Sequence, residues 1–230
     1  MFDYTGNNRI ARPHDLIWLD AAGALEGPVP KWAVQALADD APVVIRRAPR
    51  QGDRLPVGVR GASRGERHAD WIDASAIRSC RTPESLAAAH VWSGQARRDE
   101  IPAIAARADV AAIFKRFGMP WGVTGAVGYE LATGQPVAHV ESDLDLLVRR
   151  PEPLARDEAA ALCSVLAAAS ARCDVQVETP TGAMALAEWA SSASRVLVKS
   201  DAGPFLSSDP WSAAASDDVA RCDAAIPGAG

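Results

Sequence analysis

Apolar and polar positions change rhythm several times along the chain, and the changes divide it into elements. Residues 12–15 (Arg-Pro-His-Asp) are polar and lead into Leu16-Ile17-Trp18-Leu19, which reads as a turn feeding a short strand or helix. Residues 30–37 carry Pro in the first turn of a short amphipathic helix. Residues 41–46 and 55–61 are strand-like, and Pro56 suits an edge strand. Thr82-Pro83-Glu84-Ser85 is a helix start, with an N-cap and then Pro. A polar stretch over 93–100 marks the boundary between two halves.

The second half alternates helix and strand. Residues 102–117 have helical spacing and stop at Gly118 and Pro120; residues 121–124 form a strand that runs into a Gly-rich turn. Residues 129–133 form a short helix closed by Gly134 and Pro136. Residues 142–148 (Ser-Asp-Leu-Asp-Leu-Leu-Val) are a buried strand, ended by Arg149-Arg150-Pro151. An Ala/Leu-rich helix covers 155–171. Residues 173–179 alternate strictly, with Asp174, Gln176 and Glu178 on one face. A helix over 181–189 and a last strand over 196–199 complete the pattern, and no internal repeat occurs. The expected organisation is a small N-terminal domain over 1–95 with a frayed start over 1–11, a catalytic domain over 96–212, and a loose tail over 213–230.

A length of 230 residues fits one large or two small domains, and 48% hydrophobic content is enough for a core. The net charge of −5 argues against bulk nucleic-acid binding. Charge is nevertheless uneven. Between residues 46 and 67 there are seven arginines against only Asp53 and Glu66. Solvated loops on an Arg-biased chain account for this as well as a surface for a polyphosphate or an acidic protein does. Four scattered cysteines and four histidines lack zinc-ligand spacing. Without an apolar leader or a membrane-length apolar run, a reducing, cytoplasmic setting is expected.

The chemistry concentrates in residues 121–148. On a strand, Asp143 and Asp145 point the same way with Cα atoms roughly 6.6 Å apart. Two carboxylates at that spacing repel, and a divalent cation such as Mg²⁺ relieves the repulsion. Gly125 and Gly128, beginning 17 residues before Ser142, lie where a strand meets a helix-compatible segment, so backbone N–H groups there can approach a phosphate. A lone Asp-x-Asp is common on solvated strands and a lone Gly-x-x-Gly is an ordinary turn. Their order and spacing together favour a metal and phosphate site. The third carboxylate of such a site is Asp174, with Glu178 the alternative on the same face. Lys199 at a strand end is a further candidate phosphate contact.

This arrangement resembles the nucleotidyltransferase fold of the polymerase-β-like superfamily, an α+β mixed sheet with helices. The expected whole is that domain plus a small α+β N-terminal domain. Further strings narrow the resemblance: Arg12-Pro13-His14-Asp15, Val57-Gly58-Val59-Arg60-Gly61, Trp121-Gly122-Val123-Thr124-Gly125, Tyr129-Glu130-Leu131-Ala132-Thr133-Gly134, Ser142-Asp143-Leu144-Asp145-Leu146, Asp174-Val175-Gln176-Val177-Glu178-Thr179-Pro180 and Ala187-Glu188-Trp189. With these the chain is similar to the malonate decarboxylase holo-acyl-carrier-protein synthases, also called phosphoribosyl-dephospho-CoA transferases. The resemblance implies a triphosphoribosyl-dephospho-CoA donor, a serine acceptor on the acyl-carrier subunit of malonate decarboxylase, release of diphosphate, and two Mg²⁺ ions on Asp143, Asp145 and a third carboxylate. It also implies donor contacts at Gly125 and Ala126, and a role for the N-terminal domain in holding carrier or donor. One departure stands out: the superfamily's phosphate turn usually reads Gly-Ser or Gly-Gly, and here it is Gly125-Ala126. Two other readings share the core residues. One is transfer from an ordinary nucleoside triphosphate to a small molecule or another protein; the other is a carrier-binding module without catalysis. Mg²⁺-dependent diphosphate release separates the module from either enzyme.

Overall fold

Two sheets organise the chain in the computed structural model, which describes residues 11–21, 24–49, 51–63 and 65–212. The first contains β1 (Leu16–Leu19), β2 (Val43–Ile45), β3 (Leu55–Arg60), β4 (Arg67–Ile72) and β5 (Ile77–Arg81). Its order is β4-β3-β2-β1-β5, antiparallel throughout. Helix α1 (Lys31–Ala38) covers one face, where Ile17, Val43, Ile45, Val57, Val59 and Ile72 surround Ala33 in a small core. The other face turns Leu16 and Trp18 into the larger core of the second half. Strand β1 is therefore buried on both faces, which is why it is apolar at every position rather than alternating.

Short helices α2 (Pro83–Leu86), α3 (Ala89–Trp92) and α4 (Pro102–Ala105) lead to α5 (Arg107–Arg116). The second sheet follows: β6 (Gly122–Val123), α6 (Gly125–Thr133), β7 (Leu144–Arg149), α7 (Arg156–Leu166), β8 (Cys173–Thr179), β9 (Gly182–Ala185), α8 (Leu186–Trp189), β10 (Val196–Ser200) and β11 (Gly203–Ser207). Its order is β11-β10-β9-β8-β7-β6, with only β7 and β8 parallel. A parallel pair needs a crossover, and α7 supplies it. Thr82 caps α2 as expected, accepting from the Ser85 N–H at 3.1 Å. Gly134 closes α6 with φ of 75°. No helix among the described residues is long and apolar enough to cross a membrane.

Several expected elements are corrected. Pro56 lies in an interior strand. Its carbonyl accepts from the Arg46 N–H at 2.8 Å, but a proline cannot return the bond, and β2 ends at that point. The helix over 102–117 is two helices, α4 and α5, and that over 155–171 is the shorter α7. The helix over 181–189 is half strand: residues 182–185 lie in a slot between β8 and β10. Small Gly and Ala there are required by closeness, since a Cβ on Gly182 would stand 2.6 Å from the Lys199 carbonyl. The strand over 196–199 is not the last, because β11 returns beside it. Strands β4 and β5 give no strand signal in the sequence, because their charged and polar residues hide the period. Apart from Ala11, the expected frayed start over 1–11 lies outside the described residues, and so does the tail over 213–230.

The candidate active-site cleft

The parallel register of β7 and β8 sets Asp145 opposite Asp174, Leu147 opposite Gln176 and Arg149 opposite Glu178. Alternation puts all three pairs on one face of the sheet. At the first pair this face opens into a cleft of about 410 Å³, whose walls include Asp145, Asp174, Thr124, Gly125, His14 and Lys199. Asp143 is in the loop just before β7 rather than in the strand, and its carboxylate pairs with Arg172 at 3.3 Å. Burial first, and then the negative charges of Asp174 and Asp143, push the Asp145 carboxyl above its ordinary pKa. Three acids thus share one electrostatic neighbourhood, with Asp145 at its centre.

Helix α6 begins at Gly125, so the Gly-rich segment is its first turn and not a loop before it. The Thr124 N–H donates to the Asp145 carbonyl at 2.9 Å, fixing the helix start beside the carboxylates. No side chain caps that start, so its first N–H groups are available to an anion in the cleft. Gly125 is obligatory on two counts. Its φ is +64°, and a Cβ there would lie 1.7 Å from an Asp145 carboxylate oxygen. Ala126, the next residue, packs against the core and is absent from the cleft walls. The loop from α6 to β7 is held by buried Glu130, which accepts from the Val137 and Ala138 N–H groups at 2.9 and 2.8 Å and from Arg97. Arg97 comes from the polar stretch read as a boundary, so that stretch is anchored to the second half.

The other end of the same face is different. Glu178 is buried and paired with Arg47 at 2.7 Å and with Arg149. Arg149 also pairs with Glu84 at 2.7 Å and Asp15 at 3.5 Å, and donates to the Pro13 carbonyl at 3.1 Å. The structure therefore brings Asp145 and Asp174 together on the cleft wall, leaves Asp143 nearby but paired with Arg172 and outside that wall, and places Glu178 in an ion network that joins the two sheets.

Three residues in this region carried no role in the sequence reading. His14 enters the cleft from the first half, in a turn where Pro13 is followed by φ of +73° at His14. That is the position of a type II turn that normally requires Gly, so the backbone at His14 is strained. Its Nε2 meets the Gln176 side-chain nitrogen at 2.7 Å. Gln176 is the donor, and the ring nitrogen accepts. Burial, then Arg47, Arg149 and Lys199, lower the His14 pKa to about 4, which keeps the ring neutral. Thr124 and Gln176 are the other two. A polar turn and an alternating strand contain no signal that His14 and Gln176 meet across 162 residues of sequence.

Among the described residues no group of three or more His, Cys, Asp or Glu side chains forms a ready-made cage for an ion. Mg²⁺ does not need one: it is commonly held by one or two carboxylates with water and substrate phosphates completing the shell. The oxygen-only donor set, the mutual repulsion at Asp145 and the space that the missing Gly125 Cβ leaves beside its carboxylate fit that requirement.

The fold and the cleft together define an α+β protein whose second half is nucleotidyltransferase-like, joined to a five-stranded N-terminal sheet. Comparison with known proteins takes this further. Residues 12–83 match the phosphoribosyl-dephospho-CoA transferase MdcG N-terminal domain, and residues 86–210 match the corresponding C-terminal domain. The chain belongs to the phosphoribosyl-dephospho-CoA transferase family. It is 46% identical over 200 residues to a phosphoribosyl-dephospho-CoA transferase of Pseudomonas putida, covering 87% of this chain and 95% of that one. The protein of that name from Azotobacter vinelandii is 44% identical over 202 residues, covering 88% and 95%. That from Klebsiella pneumoniae strain 342 is 43% identical over 200 residues, covering 87% and 96%. No solved structure matches the chain.

Proposed function

We propose that the protein transfers the 2′-(5-phosphoribosyl)-3′-dephospho-CoA group from its triphosphate precursor to a serine of the acyl-carrier subunit of malonate decarboxylase. The observation that carries this reading is the in-register pair Asp145 and Asp174, facing one cleft beside the uncapped start of α6. Family membership supports the dephospho-CoA-derived donor. The serine oxygen attacks the phosphorus next to the ribose. A new P–O bond forms, the bond from that phosphorus to the bridging oxygen breaks, diphosphate leaves, and the serine proton passes to solvent.

Asp143, Asp145 and Asp174 are the residues to hold Mg²⁺. When bound, the metal supplies charge neutralisation on the triphosphate and lowers the pKa of the attacking hydroxyl. The α6 N–H groups orient the phosphates, and Lys199, on β10 of the same sheet, offsets their charge. Gly125 lets the phosphate-facing backbone lie against Asp145. His14 and Gln176 line the cleft with a neutral hydrogen bond, adding no charge that competes with the metal.

The test is the intact mass of the apo carrier after incubation with enzyme, Mg²⁺ and donor. A gain of one prosthetic group that is lost with Asp145→Asn and Asp174→Asn is the expected result. An unchanged carrier mass with folded enzyme and intact donor sinks the proposal. Diphosphate release from ordinary nucleoside triphosphates in its place would then establish a different donor.

A further inference from the structure

A second cleft, of about 200 Å³, lies between the two sheets. It shares His14, Thr124 and Gly125 with the carboxylate cleft, so the two adjoin along that wall. Its far side carries Arg60 and Arg67. These are directly opposed partners in the β3–β4 ladder, and both line the cleft. Like charges directly opposed across a ladder destabilise a sheet. The Arg60 guanidinium also stands over the Tyr129 ring, 5.5 Å from its centroid. The remaining wall is apolar, with Leu16, Val44, Leu86 and Val123. Two guanidinium forks beside an aromatic ring and an apolar wall are complementary to a phosphate ester attached to a flat heterocycle.

We propose that this second cleft is a subsite for the remote nucleotide portion of the donor, with Arg60 and Arg67 holding its diphosphate and the apolar wall taking its base. The inference rests on the donor assigned above. In that donor the reacting triphosphate and the dephospho-CoA arm are two anionic groups on one molecule. One cleft has carboxylates and a helix start for the first; the adjoining cleft has arginines for the second.

The probe is dephospho-CoA, which lacks the triphosphoribosyl group and cannot react. Its binding is measured by calorimetry in EDTA, so that the metal-dependent cleft makes no contribution. Wild-type protein should bind it, with affinity falling as salt rises. Arg60→Gln and Arg67→Gln should each weaken binding about tenfold, the loss expected for a charge-assisted hydrogen bond. Arg116→Gln, at an exposed position of helix α5, should leave it unchanged. Both cleft variants should raise donor KM in carrier labelling with kcat preserved, because a remote contact is made equally in ground and transition states. Should a Gln variant fold poorly, hydrogen exchange of the wild-type protein decides: dephospho-CoA should slow exchange at residues 58–60 and 67–69.

Protection confined to other segments, or unaltered dephospho-CoA binding in the Arg60→Gln/Arg67→Gln double variant, overturns the subsite. A double variant that loses affinity for apo carrier protein but not for dephospho-CoA also overturns it and makes the arginines a carrier surface. The two proposals fail separately. Carrier labelling with an unaffected donor KM in both variants removes the subsite alone. Arginine-dependent dephospho-CoA binding without any labelling leaves the subsite and removes the transfer reaction.

Discussion

Asp174 and Glu178 stand on the same face of β8, four residues apart, in opposite surroundings. Asp174 is exposed to a cleft and opposes another carboxylate, Asp145. Glu178 is buried and opposes Arg149, with Arg47 as a second partner. Charge is left uncompensated at one end and compensated at the other. The difference separates two uses of acids on a sheet. Paired buried charges tie elements together, whereas repelling charges on a cleft wall are available to a cation that arrives with the substrate. The two ends share one face, so the ion network that joins the halves also holds the floor of the cleft.

Breaking the compensated end should have the largest effect. Arg149→Met would take one cationic partner from each of Asp15, Glu84 and Glu178, and loss of one partner from a buried ion pair costs roughly 3–5 kcal/mol. Urea unfolding should show that loss; a change under 1 kcal/mol would mean that the network contributes nothing to joining the sheets. At the uncompensated end the sign for stability reverses. Asp145→Asn should cut carrier labelling by about 10²–10³, roughly 2.7–4 kcal/mol of barrier, while leaving the melting temperature equal or higher because a repulsive charge is gone. Mg²⁺ should raise the melting temperature of the wild type but not of this variant.

A pH series sharpens the comparison at the junction, where His14 and Asp15 are adjacent. Burial raises the Asp15 carboxyl to about 6, against backbone and arginine contacts that lower it. Unfolded, Asp15 ionises near 3.8. Its contribution to stability is therefore full below that value and is lost as pH rises through about 6. His14 is the reverse: lowered from 6.5 to about 4, it contributes fully above 6.5 and loses the contribution as pH falls through about 4. Each is worth at most roughly 3 kcal/mol from the size of its shift. Asp15→Asn should make stability fall more steeply on acidification from pH 7 to 4, and His14→Gln should make it fall less. Parallel pH curves for the two variants would contradict the opposed signs. The smallest expected change is Ala126→Ser, which restores the hydroxyl usual at this turn. Because Ala126 packs against the core and is absent from the cleft walls, donor KM should stay unchanged; a fall of roughly fivefold, the worth of one hydrogen bond of about 1 kcal/mol, would show that the added hydroxyl reaches the donor.

The acids of the cleft were legible because their signal is local. Asp143 and Asp145 lie two residues apart beside a strand, and strict alternation put Asp174 and Glu178 on one face of theirs. The glycine that admits Asp145 was legible for the same reason, and so were the Thr82 cap and the Gly134 stop, since backbone conformation at a turn depends on the residue occupying it. Strand β9 and the interior position of Pro56 were not, because both follow from neighbours distant in sequence: a slot between β8 and β10, and a strand that ends where the proline begins. Sequence alone could not choose between Asp174 and Glu178 either. Their spacing is equivalent, and the distinction comes from which cations the fold brings close. Arg149, read as a strand terminator, is the hub of the network at Glu178, and His14, read only as part of a turn, lines the cleft with Asp174. Side-chain period is a property of one strand and can be read along it. Charge compensation is a property of pairs far apart in the chain, and only the packing of the two sheets decides it.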